Sequence, residues 1–405
     1  MQIIILDSHP LQDSRIIRHI NFMREHEYAY NIIRLNIDRS LSNKKSGVVS
    51  HTNIPCFCIG YAYTGCNTLN KIYYNIKRFF INNENIDNII SCLGISFLTP
   101  TVIHVHDPVL LLFAVKLRGY FGKAKIVYDR HEVYESRTKY LSLIPLPKMG
   151  RIAEMLTFKK IDGVVIVLED YRSLVQQFFP YSKIAVVPNL PVLEDYDDAI
   201  ILSKIEEFNL STTIQFVYVG SLNWNHDRDI GLILDIAKHL LSKQCNVRFI
   251  VGGATSDEQL LAEFSRLNRA YPHNFIYTGY LSRDKVVEYT QDAHFGFLLI
   301  QPYTDYWVLT SPNKIFEYLK CGVIPIIRAK CACKEQIQNK SLWFEREDSR
   351  DFIISTIESI ISNPEKIQAM MYKVYQLSSN YSFNSVAHEY LALYEAIELK
   401  SVYKS

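Results

Sequence analysis

The chain has 405 residues, with 44 Lys+Arg against 42 Asp+Glu, and 48% of it is hydrophobic. That length supports two or three domains with sizeable cores and excludes a small stapled module. A net charge of +2 excludes a global field for polyanions, so nucleic-acid binding has little support and any phosphate site must be local.

The first apolar run has no basic flank of the signal-peptide kind, and the longest such run, 108–115, is far short of the roughly 20 residues that span a bilayer. The expectation is a cytoplasmic chain. The eight cysteines are scattered, and the two C-x-C pairs, Cys56/Cys58 and Cys331/Cys333, are narrower than the usual zinc spacing, so reduced thiols are expected.

From the N-terminus, short β-branched runs alternate with segments of helical period, the pattern of a parallel sheet wound with helices. Strands are predicted at 3–6, 31–35, 101–105, 124–128, 163–168 and 184–187. Two prolines, Pro188 and Pro191, and the acidic run Glu194–Asp198 then break both periods, so 188–210 reads as a linker. A second series follows, with strands at 214–219, 247–251, 274–277, 294–298 and 323–327. Beyond Asp348 the pattern is helical, with a last helix around 385–399. The organisation expected is α/β, two Rossmann-like doubly wound domains facing a central cleft: 1–190, 191–380, and a closing helical segment 381–405. Open parallel sheets bind ligands at their strand C-termini, so the chemistry is sought there.

After the strand at 101–105 stands His104-Val-His106-Asp107, whose period-two spacing puts both imidazoles on one face. They read as a metal-ligand pair, as polar groups bonded at a strand end, or, for His106, as a ligand contact. One strand later, Tyr128-Asp-Arg-His131-Glu132 packs ionisable groups together, with His131 suited to hold a sugar hydroxyl; the alternative is a surface loop whose charges pair among themselves.

In the second half, Val219-Gly220-Ser221 and Gly252-Gly253 are strand-end turns of the kind that admit a phosphate to backbone N–H groups. Arg228, near a helix start, is placed to neutralise a diphosphate. The run Ser311-Pro312-Asn313-Lys314, leading through Glu317 to Gly322, opens a helix whose free N–H groups and Lys314 make a diphosphate cradle. Glu317, one turn in, can accept from both ribose hydroxyls. A plain capped helix explains the same pattern without a ligand.

The order of "HVHDP", "IVYDRHEVY", "VIVLEDYRSL" and "IAVVPNLP", then "FVYVGSL", "FIVGG", "FIYTGYLSRDKV" and "SPNKIFEYLKCGVIPII", resembles the retaining GT-B glycosyltransferases of the group 1, family 4-like type over nearly the whole chain. Ser8-His9-Pro10 with Asp13, Arg15 and Ile16 resembles the first loop and helix of that group's acceptor lobe. The resemblance implies a nucleotide-sugar donor held by the second lobe: Gly220, Ser221 and Gly252 at the strand ends, Tyr280 by the base, Ser311, Pro312 and Asn313 at the cradle, and Glu317 on the ribose. It implies His131 as the catalytic-centre histidine, with Asp13, Arg15 and His106 by the acceptor.

Two positions depart from the family pattern. Leu309 stands where a second glutamate commonly contacts the donor sugar, and Ser221 where a basic residue often follows the glycine. Arg228 and Lys314 are expected to supply the missing charge. No D-x-D element is placed for a metal, since Asp227-Arg-Asp229 reads as a helix start, so side-chain cations and helix ends are expected to carry the leaving group with no metal or other cofactor.

The partners expected are a nucleotide-sugar donor and a glycan or lipid-linked glycan acceptor of bacterial surface-polysaccharide assembly. The basic, aromatic run 71–80 suits an anionic membrane surface, although an ordinary amphipathic helix explains it as well. Competing classes are a nucleotide-sugar epimerase or hydrolase, a non-catalytic sugar-nucleotide-binding partner, and a metal hydrolase built on His104 and His106.

Overall fold

The computed structural model of the chain describes residues 1–9, 11, 13–26, 31–36, 47–51, 54–58, 86, 87, 90, 91, 99–130, 145–192, 195–224, 227–302, 312–329 and 334–402. Most of its strands are buried along nearly their whole length rather than on alternate residues, as a sheet covered on both faces requires. All six residues of β1 (Gln2–Asp7) are buried, as are all five of β5 (Thr101–Val105).

The first sheet has eight strands. β2 (Asn31–Asn36), β3 (Gly47–His51), β4 (Ile54–Cys58), β6 (Lys125–Asp129), β7 (Gly163–Ile166) and β8 (Lys183–Val186) join β1 and β5 in the order β3-β4-β2-β1-β5-β6-β7-β8. Every described pairing is parallel except β3 with β4. β4 escapes the sequence pattern because Pro55, Cys56 and Cys58 interrupt any β-branched run, and β3 because only Val48 and Val49 of its five residues are β-branched. Helices α1 (Ser14–Glu25), α2 (Leu111–Arg118), α3 (Pro145–Thr157) and α4 (Arg172–Phe178) lie between these strands in the chain.

The second sheet has six parallel strands: β9 (Ile214–Val219), β10 (Val247–Gly252), β11 (Phe275–Gly279), β12 (Phe295–Leu299), β13 (Ile324–Arg328) and β14 (Leu342–Phe344), in the order β11-β10-β9-β12-β13-β14. β14, three residues long, is too short to carry a period. The helices of this half are α5 (Asp198–Glu206), α6 (Ile230–Ser242), α7 (Glu258–Ala270), α8 (Arg283–Asp292), α9 (Asn313–Lys320), α10 (Lys334–Ile337), α11 (Arg350–Ile361) and α12 (Pro364–Ser378). Its core stacks Phe216 between Phe249 and Phe295, at centroid separations of 4.7 and 5.1 Å. Gly296 matters to packing: a Cβ there would come within 2.5 Å of the Tyr318 ring, so the glycine lets α9 lie close on β12.

The chain divides into two compact units, Met1–Pro188 with Asn384–Ser405, and Asn189–Phe383. The last helix, α13 (Phe383–Val402), thus returns to the first unit. The stretch read as a linker differs from expectation. Asp197 caps α5, accepting from the N–H groups of Ala199 (2.9 Å) and Ile200 (3.3 Å), so the acidic run is a helix start. Ile201 and Ile205 are buried, and the Lys204 ammonium donates to the carbonyls of Ala293 and Cys321, both at 2.7 Å. Among the described residues no helix is long and apolar enough to cross a membrane.

Candidate functional site

The candidate donor site lies at the C-terminal strand ends of the second unit. The turns after β9, β10 and β11 are stitched edge to edge: Gly220 N–H donates to the Gly252 carbonyl at 2.9 Å, and Gly253 N–H to that of Gly279 at 2.8 Å. Gly253 has φ +145°, and a Cβ on it would lie 2.1 Å from the Gly220 carbonyl oxygen, so no side chain fits. This seam brings Gly220, Ser221, Gly252 and Tyr280 onto one edge. Ser221 is exposed, and Tyr280 stands out into solvent at 79% exposure.

α9 delivers the other half of the site. Pro312 is its N-cap, and no side chain caps the helix, so its first turn has N–H groups without intrahelical partners. Lys314 reaches over the β9 turn: its Cε and Nζ lie 3.1 Å from where a Gly220 Cβ would stand, with the Tyr218 hydroxyl at 3.2 Å. Among the described residues Lys314 forms no hydrogen bond or ion pair. Burial lowers its pKa, the Glu317 carboxylate opposes that shift, and the charge of Arg228 adds to it. Arg228 sits in the segment between β9 and α6, pinned to the end of β12 by the Arg228–Ile300 bridge and ion-paired with Asp227. It also hydrogen-bonds the Tyr218 phenol, whose pKa burial pushes up to about 12; that phenol donates to the Ser221 carbonyl at 2.8 Å. The structure thus gathers Gly220, Arg228 and Lys314 around Tyr218. Asp229 is spent elsewhere: it caps α6 through Leu232 N–H (3.0 Å) and pairs with Arg328 and Arg350.

Glu317 has a partner that sequence reading missed. Arg283, at the start of α8, donates to Glu317 Oε1 at 2.8 Å and to Asp195 Oδ2 at 3.3 Å. Its only signal in the sequence is its place in "GYLSRDKV", just after a strand end. Asn313 is partly buried beside these groups on α9, whereas Ser311, Leu309 and His131 lie outside the described residues.

In the first unit, the strand ends hold a dense polar cluster. Asp13 caps α1, accepting from Arg15 N–H at 3.0 Å and Ile16 N–H at 3.4 Å, and pairs with His9. Although burial alone would lower it, Asp13, Asp107 and Asp7 raise the His9 pKa to about 9. Arg15 turns inward and grips Asp129 with two nitrogens, at 2.7 and 3.2 Å. His106, His104 and His19 surround the same carboxylate, all buried, and Tyr390 and Tyr394 of α13 close over them. Desolvation lowers the pKa of all three imidazoles and holds them neutral.

Tyr128, Asp129 and Arg130 are buried, and Arg130 pairs with Glu154 at 2.7 Å. That much of the Tyr128–Glu132 cluster is therefore not a surface loop pairing with itself. His19 completes a trio whose donor atoms lie within 4.8 Å of one another, a grouping able to meet a metal ion. Arg15 already neutralises Asp129 there, so a divalent ion would place uncompensated charge in a buried site. The signal for His19 was available: Arg15 and His19 are four residues apart on the face of α1 that also carries Ile16, Ile20 and Met23.

Residues 213–363 match the family described as Glycosyl transferases group 1. No curated protein sequence gives a significant match. Among solved structures, a sucrose-phosphate synthase from Thermosynechococcus elongatus superposes with a TM-score of 0.72 at 12% identity, over 99% of this chain and 100% of that one. An α,α-trehalose 6-phosphate synthase from Burkholderia multivorans gives 0.69 at 11% identity, over 100% and 98%. A structure described as trehalose-6-phosphate from E. coli bound with UDP-2-fluoro glucose gives 0.66 at 11%, over 97% and 98%. Such identities speak to fold, and the fold agrees along the full length. With a group 1 glycosyl transferase domain built into its second unit and a GT-B architecture running from end to end, the chain is a glycosyltransferase of the GT-B type.

Proposed function

We propose that the protein moves a sugar from a nucleoside-diphosphate sugar to a glycan or lipid-linked glycan, with retention, in the assembly of a bacterial surface polysaccharide. The reading rests on one observation above others: the Lys314 ammonium, which among the described residues has no hydrogen bond or ion pair, stands over the Gly220 turn at the start of α9. A partly buried cation with no partner among the described residues, beside helix N–H groups that lack intrahelical partners, suits an anion.

In this reaction the bond from the sugar anomeric carbon to the diphosphate oxygen breaks, and a bond from that carbon to an acceptor hydroxyl oxygen forms on the same face. The acceptor proton passes to the departing diphosphate. Lys314, Arg228 and the N-terminus of α9 carry the negative charge that develops on the leaving group, a role preorganised cations perform at low cost in a dry site, without a resident metal. Glu317 accepts from the ribose hydroxyls, Gly220, Ser221 and Gly252 leave room for the phosphates, and Tyr280 lies by the base. In the first unit Asp13, Arg15 and His106 serve the acceptor, Arg15 and His106 from beneath through Asp129. His131 holds the transferred sugar, as its resemblance to the family's histidine implies. The enzyme works in the cytoplasm, in peripheral contact with the inner face of the membrane.

The test is a thermal-shift screen of the full chain against UDP-, GDP- and ADP-sugars, followed by product analysis. A donor at 100 times its Kd adds about 2.7 kcal/mol to the folded state. One base class is expected to raise the melting temperature, and a lipid-linked acceptor to yield a glycoside of unchanged anomeric configuration. No shift with any donor overturns the proposal. An isomerised nucleotide sugar formed without acceptor identifies an epimerase, and donor binding without turnover a non-catalytic partner. A soluble sugar phosphate serving better than the lipid-linked glycan replaces the acceptor assigned here.

A further inference from the structure

The first unit carries a helix whose amphipathicity runs the wrong way round. The residues of α3 turned inward include Gly150, Ala153, Glu154 and Thr157, which are small or polar. Glu154 is held there by Tyr128, Arg130 and Arg151. Those turned to solvent are Ile152, Met155 and Leu156, at 51%, 58% and 62% exposure. Their three- and four-residue spacing puts them on one face, so over 150–157 the apolar stripe of α3 points away from the core.

The stripe continues onto the neighbouring helix. The Arg151 guanidinium stands 3.8 Å over the Phe178 ring of α4, and Phe158 lies 6.2 Å from the same ring. Leu174, one turn before Phe178, is exposed. Every large apolar side chain exposed among the described residues of this unit falls between 152 and 181, on or next to these two helices, which the Arg151–Phe178 and Phe158–Phe178 contacts join.

Charge selects the occupant. The segment 145–160 carries Lys148, Arg151, Lys159 and Lys160 against the single acid Glu154, which faces inward. Lys159 and Lys160 are exposed at the end of the stripe. A second copy meeting this patch about a twofold axis would set basic against basic. A layer of anionic headgroups over acyl chains complements both the charge and the apolar stripe.

We propose that this face of α3 and α4 rests on an anionic lipid surface, with Ile152, Met155 and Leu156 entering the headgroup–acyl boundary and Lys159 and Lys160 meeting the lipid phosphates. The contact involves neither the donor site nor the 71–80 segment. Its test is co-sedimentation of the full chain with phosphatidylcholine vesicles, with and without phosphatidylglycerol. Binding is expected only to the phosphatidylglycerol vesicles and is expected to weaken with salt. The variants I152S/M155S/L156S and K159E/K160E are each expected to lower affinity at least tenfold, with the donor-induced thermal shift unchanged. K77E/R78E is expected to bind as the parent does. The charge variant alters only exposed positions, so it decides the matter should the apolar variant fail to fold. The proposal is overturned if phosphatidylglycerol vesicles are not bound, if K159E/K160E binds as well as the parent, or if K77E/R78E alone abolishes binding. It is also overturned if sedimentation velocity shows a self-association that the apolar variant removes.

Discussion

Arg283 and Glu317, 34 positions apart, are joined by a 2.8 Å hydrogen bond from the guanidinium to Oε1. The pair sets the orientation of the carboxylate proposed to hold the ribose, and leaves Oε2 without a hydrogen bond among the described residues. Arg283→Ala is expected to weaken donor binding about tenfold, the scale of one charge-assisted hydrogen bond. If Arg283 acts through Glu317, adding Arg283→Ala to Glu317→Gln costs little more, and both variants lose the preference for ribose over deoxyribose donors. Calorimetric titration with the two donor types measures this.

Lys314 and Arg228 make a second, separable prediction. Removing one positioned donor to a developing negative charge typically costs about 10²–10³ in turnover, so Lys314→Ala is expected to lower kcat on that scale. The double variant Arg228→Ala/Lys314→Ala is expected to lose transfer while keeping its far-UV spectrum. Steady-state kinetics with intact turnover would remove both residues from the mechanism.

Gly253→Ala tests the seam of turns. The added Cβ would meet the Gly220 carbonyl at 2.1 Å in a backbone region few side chains adopt, so a loss of about 2–5 kcal/mol is expected. Urea unfolding gives the number. A thermally neutral Gly253→Ala would mean that the turns separate freely.

Acid should destabilise the second unit through His294. Burial, reinforced by Lys204, lowers this imidazole to about 3, and its Nδ1 accepts from Gln215 N–H at 2.9 Å. Between pH 6.5 and 3 the unfolded chain binds a proton that the folded chain refuses, so stability falls as pH drops through this window, by at most about 4–5 kcal/mol. His294→Gln is expected to flatten that slope in denaturation curves taken across the range.

The imidazole trio of the first unit is expected to purify without stoichiometric zinc, because Arg15 already balances Asp129. Elemental analysis of protein purified without chelators decides it. One zinc per chain, lost in His104→Ala, would revive the hydrolase reading.

Local order was legible in the sequence wherever chemistry repeats with a short period. Eleven strands follow from β-branched runs, because a strand buried on both faces is mostly apolar and shows no alternation. β3, β4 and β14 were not legible, since β3 has only two β-branched residues, Pro55 and the cysteines break β4, and three residues are too few to show a period. Asp197 and the acidic run around it read as a break, although Asp197 is a helix cap, because an aspartate before a helix and one in a loop look alike until the N–H groups are placed.

The sequence by itself determined the elements and the residue types at the strand ends: Gly220, Arg228, Lys314 and Glu317 are visible in short motifs, each tied to the strand or helix beside it. Only the tertiary structure decided which of them meet. It set Lys314 over Gly220, gave Glu317 to Arg283, buried Arg15 on Asp129 with His19, His104 and His106, and turned the apolar side of α3 outward. The reason is physical. Local pattern is dictated by neighbours three or four residues away, whereas the partner of a side chain is dictated by strand order and packing, which join residues separated by tens or hundreds of positions.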